Sequence, residues 1–237
     1  SYHFISLLDN PKKITSEAIN IGVRASSGQI IVIVGGHSVI SPAYVAKAVS
    51  YLSRPDLHIG GVGPTLENVG EGLFGNLVAR ALSSSFGVGN SRFRFSQRAQ
   101  FVDTIAYGAY RKGVFDEVGL WDTGLVRNQD IEFNYRIREA GWQLLLVPDM
   151  GCTYYTRTRV HDFIRQNYGN GYWNILTFTQ RPGSLSWRHF APLAFVVGLL
   201  LATLATLVVP WGWLLFVAIA VPYSIIDAFV SATRSVR

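Results

Sequence analysis

Cysteine, methionine and charge are all scarce in this chain. It has 237 residues with one cysteine, one methionine and only 15% charged residues, against 49% hydrophobic ones. A lone Cys152 excludes an internal disulfide and any thiolate metal cage, and it fits a reducing compartment. The apolar excess excludes a disordered chain. No internal repeat or low-complexity tract is present, which excludes a solenoid and argues against a small transporter built from paired repeats. Lys and Arg outnumber Asp and Glu by 21 to 15. Yet no long basic stripe with interleaved aromatics exists, because Arg92-Phe-Arg-Phe-Ser-Gln-Arg98 is short and isolated. A nucleic-acid partner is therefore not expected. A basic domain beside anionic lipid, handling a phosphate-bearing substrate, accounts for the balance better.

Charge is missing altogether from Phe190 to Val209. At about 1.5 Å per residue that run reaches about 30 Å, the hydrocarbon thickness of a bilayer. Pro210 interrupts it. Trp211 to Val230 then forms a second apolar run, broken only by Pro222 and Asp227. The pair is expected to be a transmembrane hairpin. Arg181, Arg188 and His189 precede it, Arg234 and Arg237 follow it, and the turn carries no charge. The positive-inside rule then predicts a multi-pass membrane segment with both ends of the hairpin, and the domain before it, on the cytoplasmic side. Trp211 and Trp213 suit an interfacial aromatic belt on the far side.

Upstream the pattern alternates strand and helix. His3 to Leu8 reads as an apolar strand, Asp9-Asn10-Pro11 as a turn, and Ile14 to Ala25 as a helix with Ile14, Ala18, Ile21 and Ala25 on one face. Gln29 to Val34 is a continuous β-branched run, expected to be a strand buried on both faces and paired in parallel through a βαβ unit. Gly35-Gly36-His37 follows its C-terminal end, where open α/β sheets bind ligands. Helix is expected from Pro42 to Ser53 and from Glu71 to Phe86, with a glycine-rich loop at 87–91 between that helix and the next strands. Strand is expected at His58 to Val62, within Phe101 to Arg111, and at Trp142 to Val147. A short helix at Val114 to Val118 and a longer one at Ile131 to Ala140 complete the domain. Val160 to Phe178 reads as an amphipathic helix rich in aromatics, able to lie in the headgroup plane. The expected domains are residues 1–158, an interfacial helix and linker at 159–189, and the hairpin at 190–237.

Where the helix at Ile131 begins, Asp130 and Glu132 form an acid pair. A carboxylate at a helix N-terminus is both ionised and aimed, as a general base must be. An N-cap role requires only the same position. The motif order around this pair resembles the family 2 glycosyltransferases of the GT-A fold, especially bacterial membrane-bound enzymes of exopolysaccharide assembly of the succinoglycan glucosyltransferase type. The matching elements are Asn10-Pro11, Asn20-x-Gly22 with Ala25-x-x-Gly28, Gly36-His37 and Phe86-Gly-Val-Gly89. Further on come Val102-Asp103-Thr104 with Tyr107-Gly-Ala-Tyr-Arg111, Val118-Gly-Leu-Trp-Asp122, Arg127-Asn-Gln-Asp130-x-Glu132-x-Asn-Tyr-Arg136, and Arg165-Gln166 with Gly171-Tyr-Trp173. They cover most of Asn10 to Trp173.

The resemblance implies a Rossmann-like α/β domain with a mostly parallel sheet. It also implies that the first strand and acidic loop of the fold precede Ser1, so the domain would be N-terminally truncated. In activity it implies an inverting enzyme that moves a hexose from a nucleotide sugar, UDP-linked, to a lipid-linked saccharide. By the same resemblance Asp130 is the base, with Gln129 in place of the usual acidic neighbour. Asp103, Tyr107, Gly108, Gln129 and Glu132 would meet substrate, Glu132 by orienting Arg136 or the acceptor. Arg165, Gln166 and Trp173 match the segment that closes over diphosphate and acceptor, although Tyr172 stands where an arginine is usual. Asn20, Gly36 and His37 fall beside the nucleotide. The Asp-x-Asp element that holds Mg²⁺ or Mn²⁺ reads Gly35-Gly36-His37 here, which leaves His37 as the one candidate ligand. Because of Gly35, a catalytically degenerate membrane scaffold is the competing reading.

Overall fold

A computed structural model describes residues 4–234, which form two compact units divided between Leu185 and Ser186. In the first unit, helix α1 (Thr15–Ala25) leads to strand β1 (Ile30–Val32), then β2 (Ser38–Ile40), α2 (Tyr44–Leu52), β3 (Ile59–Gly63) and β4 (Leu66–Val69). Next come α3 (Gly72–Leu82), α4 (Ser85–Val88), β5 (Gln100–Phe101), β6 (Ala109–Arg111) and α5 (Lys112–Val118). The unit closes with α6 (Gln129–Glu139), β7 (Gln143–Leu146), β8 (Cys152–Tyr155) and α7 (Val160–Gln180). The second unit is α8 (Ala191–Val208) followed by α9 (Trp213–Arg234).

Five strands make the main sheet in the order β1-β6-β3-β7-β5. Only β3 and β7 run parallel, with Val62 opposite Leu145, and the other pairings are antiparallel. The mostly parallel sheet expected from the resemblance is thus a mixed sheet among the described residues. Both faces are covered. On one, Val23, Val114, Phe115, Phe133 and Ile137 pack against Ile31, Tyr110 and Leu144. On the other, Tyr44, Ala48 and Leu52 of α2 pack against Ile59, Val62, Ala109 and Leu145. Trp121 stacks on Phe133 at 3.8 Å between ring centroids, and each such side chain taken from water stabilises the fold by roughly 1.5–3 kcal/mol.

A second sheet, β2-β8-β4, has no counterpart in the sequence reading. Ser38 to Ile40 pair antiparallel with Tyr154 to Cys152, and Leu66 to Val69 pair parallel with Cys152 to Tyr155. Leu66, Cys152 and Tyr154 form its small core, with Phe93, Ala106 and Tyr107 packed on it.

Three local expectations are corrected. Residues 5–8 form no strand, and Phe4, Ile5 and Leu7 are exposed; His3 lies outside the described residues. Helix α1 buries Ser16, Asn20 and Val23, while Ala18 and Ala25 are exposed, because its contact with the domain is polar as well as apolar. Strand β1 is only half-buried, since it lies at the end of the strand order and pairs with β6 alone. Helices α8 and α9 are each long and apolar enough to cross a membrane, with mean hydropathy of 2.3 and 2.0 and almost no burial. They pack on each other through Phe195 and Tyr223, 4.7 Å apart, across a turn closed by Gly212 N–H donating to the Val209 carbonyl. Pro222 lies inside α9, and Arg237 of the expected basic flank lies outside the described residues.

Candidate active site

Asp130 is the second residue of α6 and is exposed. The turn before it is fixed with care. Asn128 sits at the helix N-cap with φ +60°, a left-handed conformation that asparagine tolerates better than most residues. Its side-chain amide donates to Asn174 Oδ1 at 2.8 Å and to Thr177 Oγ1 at 3.2 Å, and Arg127 Nη1 donates to Asn170 Oδ1 at 2.9 Å. Helix α7 therefore grips the residues that start α6. Behind Asp130, the buried Asn134 donates to Thr104 Oγ1 and to the Ile105 carbonyl while accepting from the Tyr110 hydroxyl. That network holds one face of α6 to the sheet. The Asp130 carboxylate lies within electrostatic reach of Arg94, Tyr107 and Tyr110.

The second group of residues forms where the two sheets meet. After β1, a turn closed by Ser38 N–H and Oγ on the Gly35 carbonyl presents Gly36 and His37. The His37 carbonyl accepts from Tyr155 N–H of β8, and the His37 ring meets Tyr154 edge-on at 5.3 Å. His37 Nε2 and the Tyr107 hydroxyl are 3.0 Å apart and share a hydrogen bond. Tyr107 adopts φ +48°, and the hydroxyl of fully buried Tyr44 holds its carbonyl. This backbone turns the ring against Gly35: a Cβ at position 35 would sit 2.7 Å from Tyr107 Cε1. Any side chain there would collide with the ring. Arg94 donates to Asn68 Oδ1 at 2.8 Å and lies over the Tyr154 ring at 4.8 Å. Burial, then Arg157 and Arg94, lower the His37 pKa, so the ring is neutral at neutral pH. Burial, then Tyr154, raise that of Tyr107, so its hydroxyl stays protonated. Burial likewise lowers that of Arg94.

These residues do not fit a hard divalent cation. Among the described residues, no group of three His, Cys, Asp or Glu side chains is placed to hold a metal ion. Oxygen ligands are what Mg²⁺ and Mn²⁺ require, and guanidinium groups are what His37 has.

The remaining sequence candidates separate into two sets. Asp103 lines a cavity of about 410 Å³ together with Asn90, Arg92, Phe101, Val102 and Arg138. Trp173 is half-buried on α7, while Arg165 is exposed on the same helix and Gln166 half-buried. Gln129 Oε1 is buried without a hydrogen-bond partner at the start of α6. Three others are committed to the interior. Glu132 is 2% exposed and receives Arg136 Nε and Nη2 at 2.7 and 2.9 Å, and Arg136 in turn donates to the Val118 and Leu120 carbonyls. The pair fits the expected role of Glu132 in orienting Arg136. Asn20 is also 2% exposed, donating to the Trp121 carbonyl and accepting from Trp121 N–H, so its side chain brackets the loop at Trp121. Gly108 is buried, with Ile105 and Tyr110 where its side chain would be, and so does not floor a pocket. Arg94 and Tyr154 escaped the sequence reading. The signal for Arg94 is its place in the basic, aromatic run Arg92-Phe-Arg94-Phe.

Residues 5–172 match the family model described as glycosyltransferase like family 2. The chain is 27% identical over 190 residues to the dolichyl N-acetyl-alpha-D-glucosaminyl phosphate 3-beta-D-2,3-diacetamido-2,3-dideoxy-beta-D-glucuronosyltransferase of Methanococcus voltae, covering 74% of this chain and 59% of that protein. It is 25% identical over 194 residues to the succinoglycan biosynthesis protein ExoA of Rhizobium meliloti (strain 1021), covering 80% and 58%. It thus spans just under three fifths of these relatives' lengths. Among solved structures it is similar to the mannosyltransferase PcManGT from Pyrobaculum calidifontis in complex with GDP-Man and Mn²⁺, at 15% identity and TM-score 0.48 over 94% of this chain and 60% of that one. It is also similar to GalNAc-T7 with UDP, GalNAc and Mn²⁺, at 19% identity and TM-score 0.45 over 60% and 30%. With more than half its length matched, the chain belongs to glycosyltransferase like family 2.

Proposed function

We propose that this protein is an inverting glycosyltransferase that moves a hexose from a nucleotide diphosphate sugar, UDP-linked, to a lipid-linked saccharide at the cytoplasmic face of the inner membrane. The observation that carries the reading is Asp130, exposed on the first turn of α6 within reach of Arg94 and braced from behind by Asn134. In the reaction, the acceptor hydroxyl oxygen attacks the anomeric carbon while its proton passes to the Asp130 carboxylate. The bond from that carbon to the diphosphate oxygen breaks, its electron pair leaves with the nucleoside diphosphate, and the configuration inverts. Asp103 and its cavity offer both charge signs to an acceptor's hydroxyls.

Helix α7 supplies the reason for a membrane setting. Ile164, Tyr168, Tyr172, Ile175 and Phe178 are exposed along one stripe, and Asn170, Asn174 and Thr177 lie on the opposite side, toward α6. Such a stripe suits the headgroup plane, where a lipid-linked acceptor presents its sugar. Helices α8 and α9 serve as the anchor.

The test is sugar transfer from UDP-hexose donors to lipid-linked acceptors by the full-length protein in lipid nanodiscs. Asp130→Asn is expected to lower turnover by at least about 10²-fold, the smaller end of what a positioned base contributes, with donor affinity and melting temperature unchanged. Wild-type turnover in that variant would refute the assignment. Gly35, where the resemblance expects a carboxylate, leaves the scaffold as the second reading, which predicts no transfer and no UDP binding by the wild-type protein.

A further inference from the structure

The leaving diphosphate gains negative charge as the sugar departs, and something must neutralise it. In this chain the position able to offer a carboxylate to a cation is closed by Tyr107, held in place by its hydrogen bond to His37 and by Tyr44 on its carbonyl. Two guanidinium groups flank the same spot. Arg94 is braced by Asn68 and by the Tyr154 ring, which itself meets His37. Arg157 lies two residues beyond Tyr155, whose N–H binds the His37 carbonyl, and its charge acts on His37.

We propose that this chain seats the donor's diphosphate directly on Arg94 and Arg157, with the Tyr107 hydroxyl as a hydrogen-bond donor held in place by His37 Nε2–H, and uses no divalent cation there. The inference rests on the nucleotide-sugar reading above. Its physical basis is charge and shape. The guanidinium groups that would repel a dication attract a diphosphate, and each offers forked N–H donors that match two phosphate oxygens. Tyr107 adds a neutral O–H donor at the position where a carboxylate would have repelled phosphate unless a metal intervened. On bond breaking, the electron pair received by the bridging oxygen is met by cations already in place, so no ion need be recruited.

Calorimetric titration of UDP into the full-length protein in nanodiscs tests this, run once with EDTA and once with Mn²⁺. UDP is expected to bind in EDTA as tightly as in Mn²⁺, with inorganic pyrophosphate displacing it in both. Arg157→Gln is expected to weaken UDP about tenfold or more in EDTA, the loss of one charge-assisted contact. Arg157 is exposed, so this variant carries no folding penalty to confuse the result. Arg94→Gln should weaken UDP likewise and Arg94→Lys less. Binding that vanishes in EDTA and returns with Mn²⁺ would overturn the arginine seat while leaving the nucleotide-sugar reading intact. Unchanged affinity in Arg157→Gln would overturn it as well. Absence of UDP binding under both conditions would remove both readings together.

Discussion

Glu132 shows how far one residue's surroundings decide its role. By sequence it is half of an acid pair; in the fold it is the buried partner of Arg136. Removing one member of such a pair leaves an uncompensated buried charge, so Glu132→Ala is expected to cost about 3–5 kcal/mol, read as a lowered unfolding midpoint, with Asp130 itself untouched. Asn128 separates backbone from side-chain effects. Both Asn128→Gly and Asn128→Ala lose the bonds to Asn174 and Thr177, but only alanine also pays for the left-handed backbone. Alanine should therefore melt lower than glycine, by about 1–2 kcal/mol. Cys152 is 3% exposed and burial pushes its thiol up to about 11. It should resist a thiol-specific alkylating reagent at pH 8 in the native protein and react once the protein is unfolded, since only the thiolate attacks.

At the scale of the element, α7 has two tasks on two faces. One face holds Arg127 and Asn128, and so fixes where α6 begins. The other carries the exposed stripe through Tyr168 and Ile175. Tyr168→Glu with Ile175→Glu is expected to reduce transfer to a lipid-linked acceptor in nanodiscs severalfold while sparing transfer to a short-chain, water-soluble analogue. Equal losses on both acceptors would show that the stripe does not meet lipid. The helix itself was legible, because 3.6-residue periodicity over a long segment is hard to mistake. The second sheet was not. Its strands β2, β4 and β8 have three or four residues each, too short for alternation to show, and β2 and β4 are defined only by pairing with β8, as in Leu66 with Cys152, 86 positions on, and Ser38 with Tyr154, 116 positions on. The same shortfall hid Tyr154, whose position beside His37 depends on that pairing.

For the whole molecule, the two apolar helices and their basic flanks predict that both ends of the hairpin face the same side. Cysteine accessibility checks this, because Cys152 is buried and will stay silent. A membrane-impermeant maleimide applied outside should label Trp211→Cys and not Trp187→Cys, both wild-type side chains being exposed. Labelling of both from one side would refute the hairpin.

Sequence alone determined the elements whose signal is local: the periodic helices, the apolar runs of α8 and α9, the β-branched run of β1 and the motif order that places Asp130 at a helix start. Tertiary structure decided which residues are spent inside, as Glu132, Asn20 and Gly108 are, and which meet at the candidate site, as Gly35, His37, Tyr107, Tyr154 and Arg94 do. The reason is that burial and electrostatic environment belong to neighbours in space. A side chain's type states what it can do, while its partners, set by strand pairing across the chain, settle what it does.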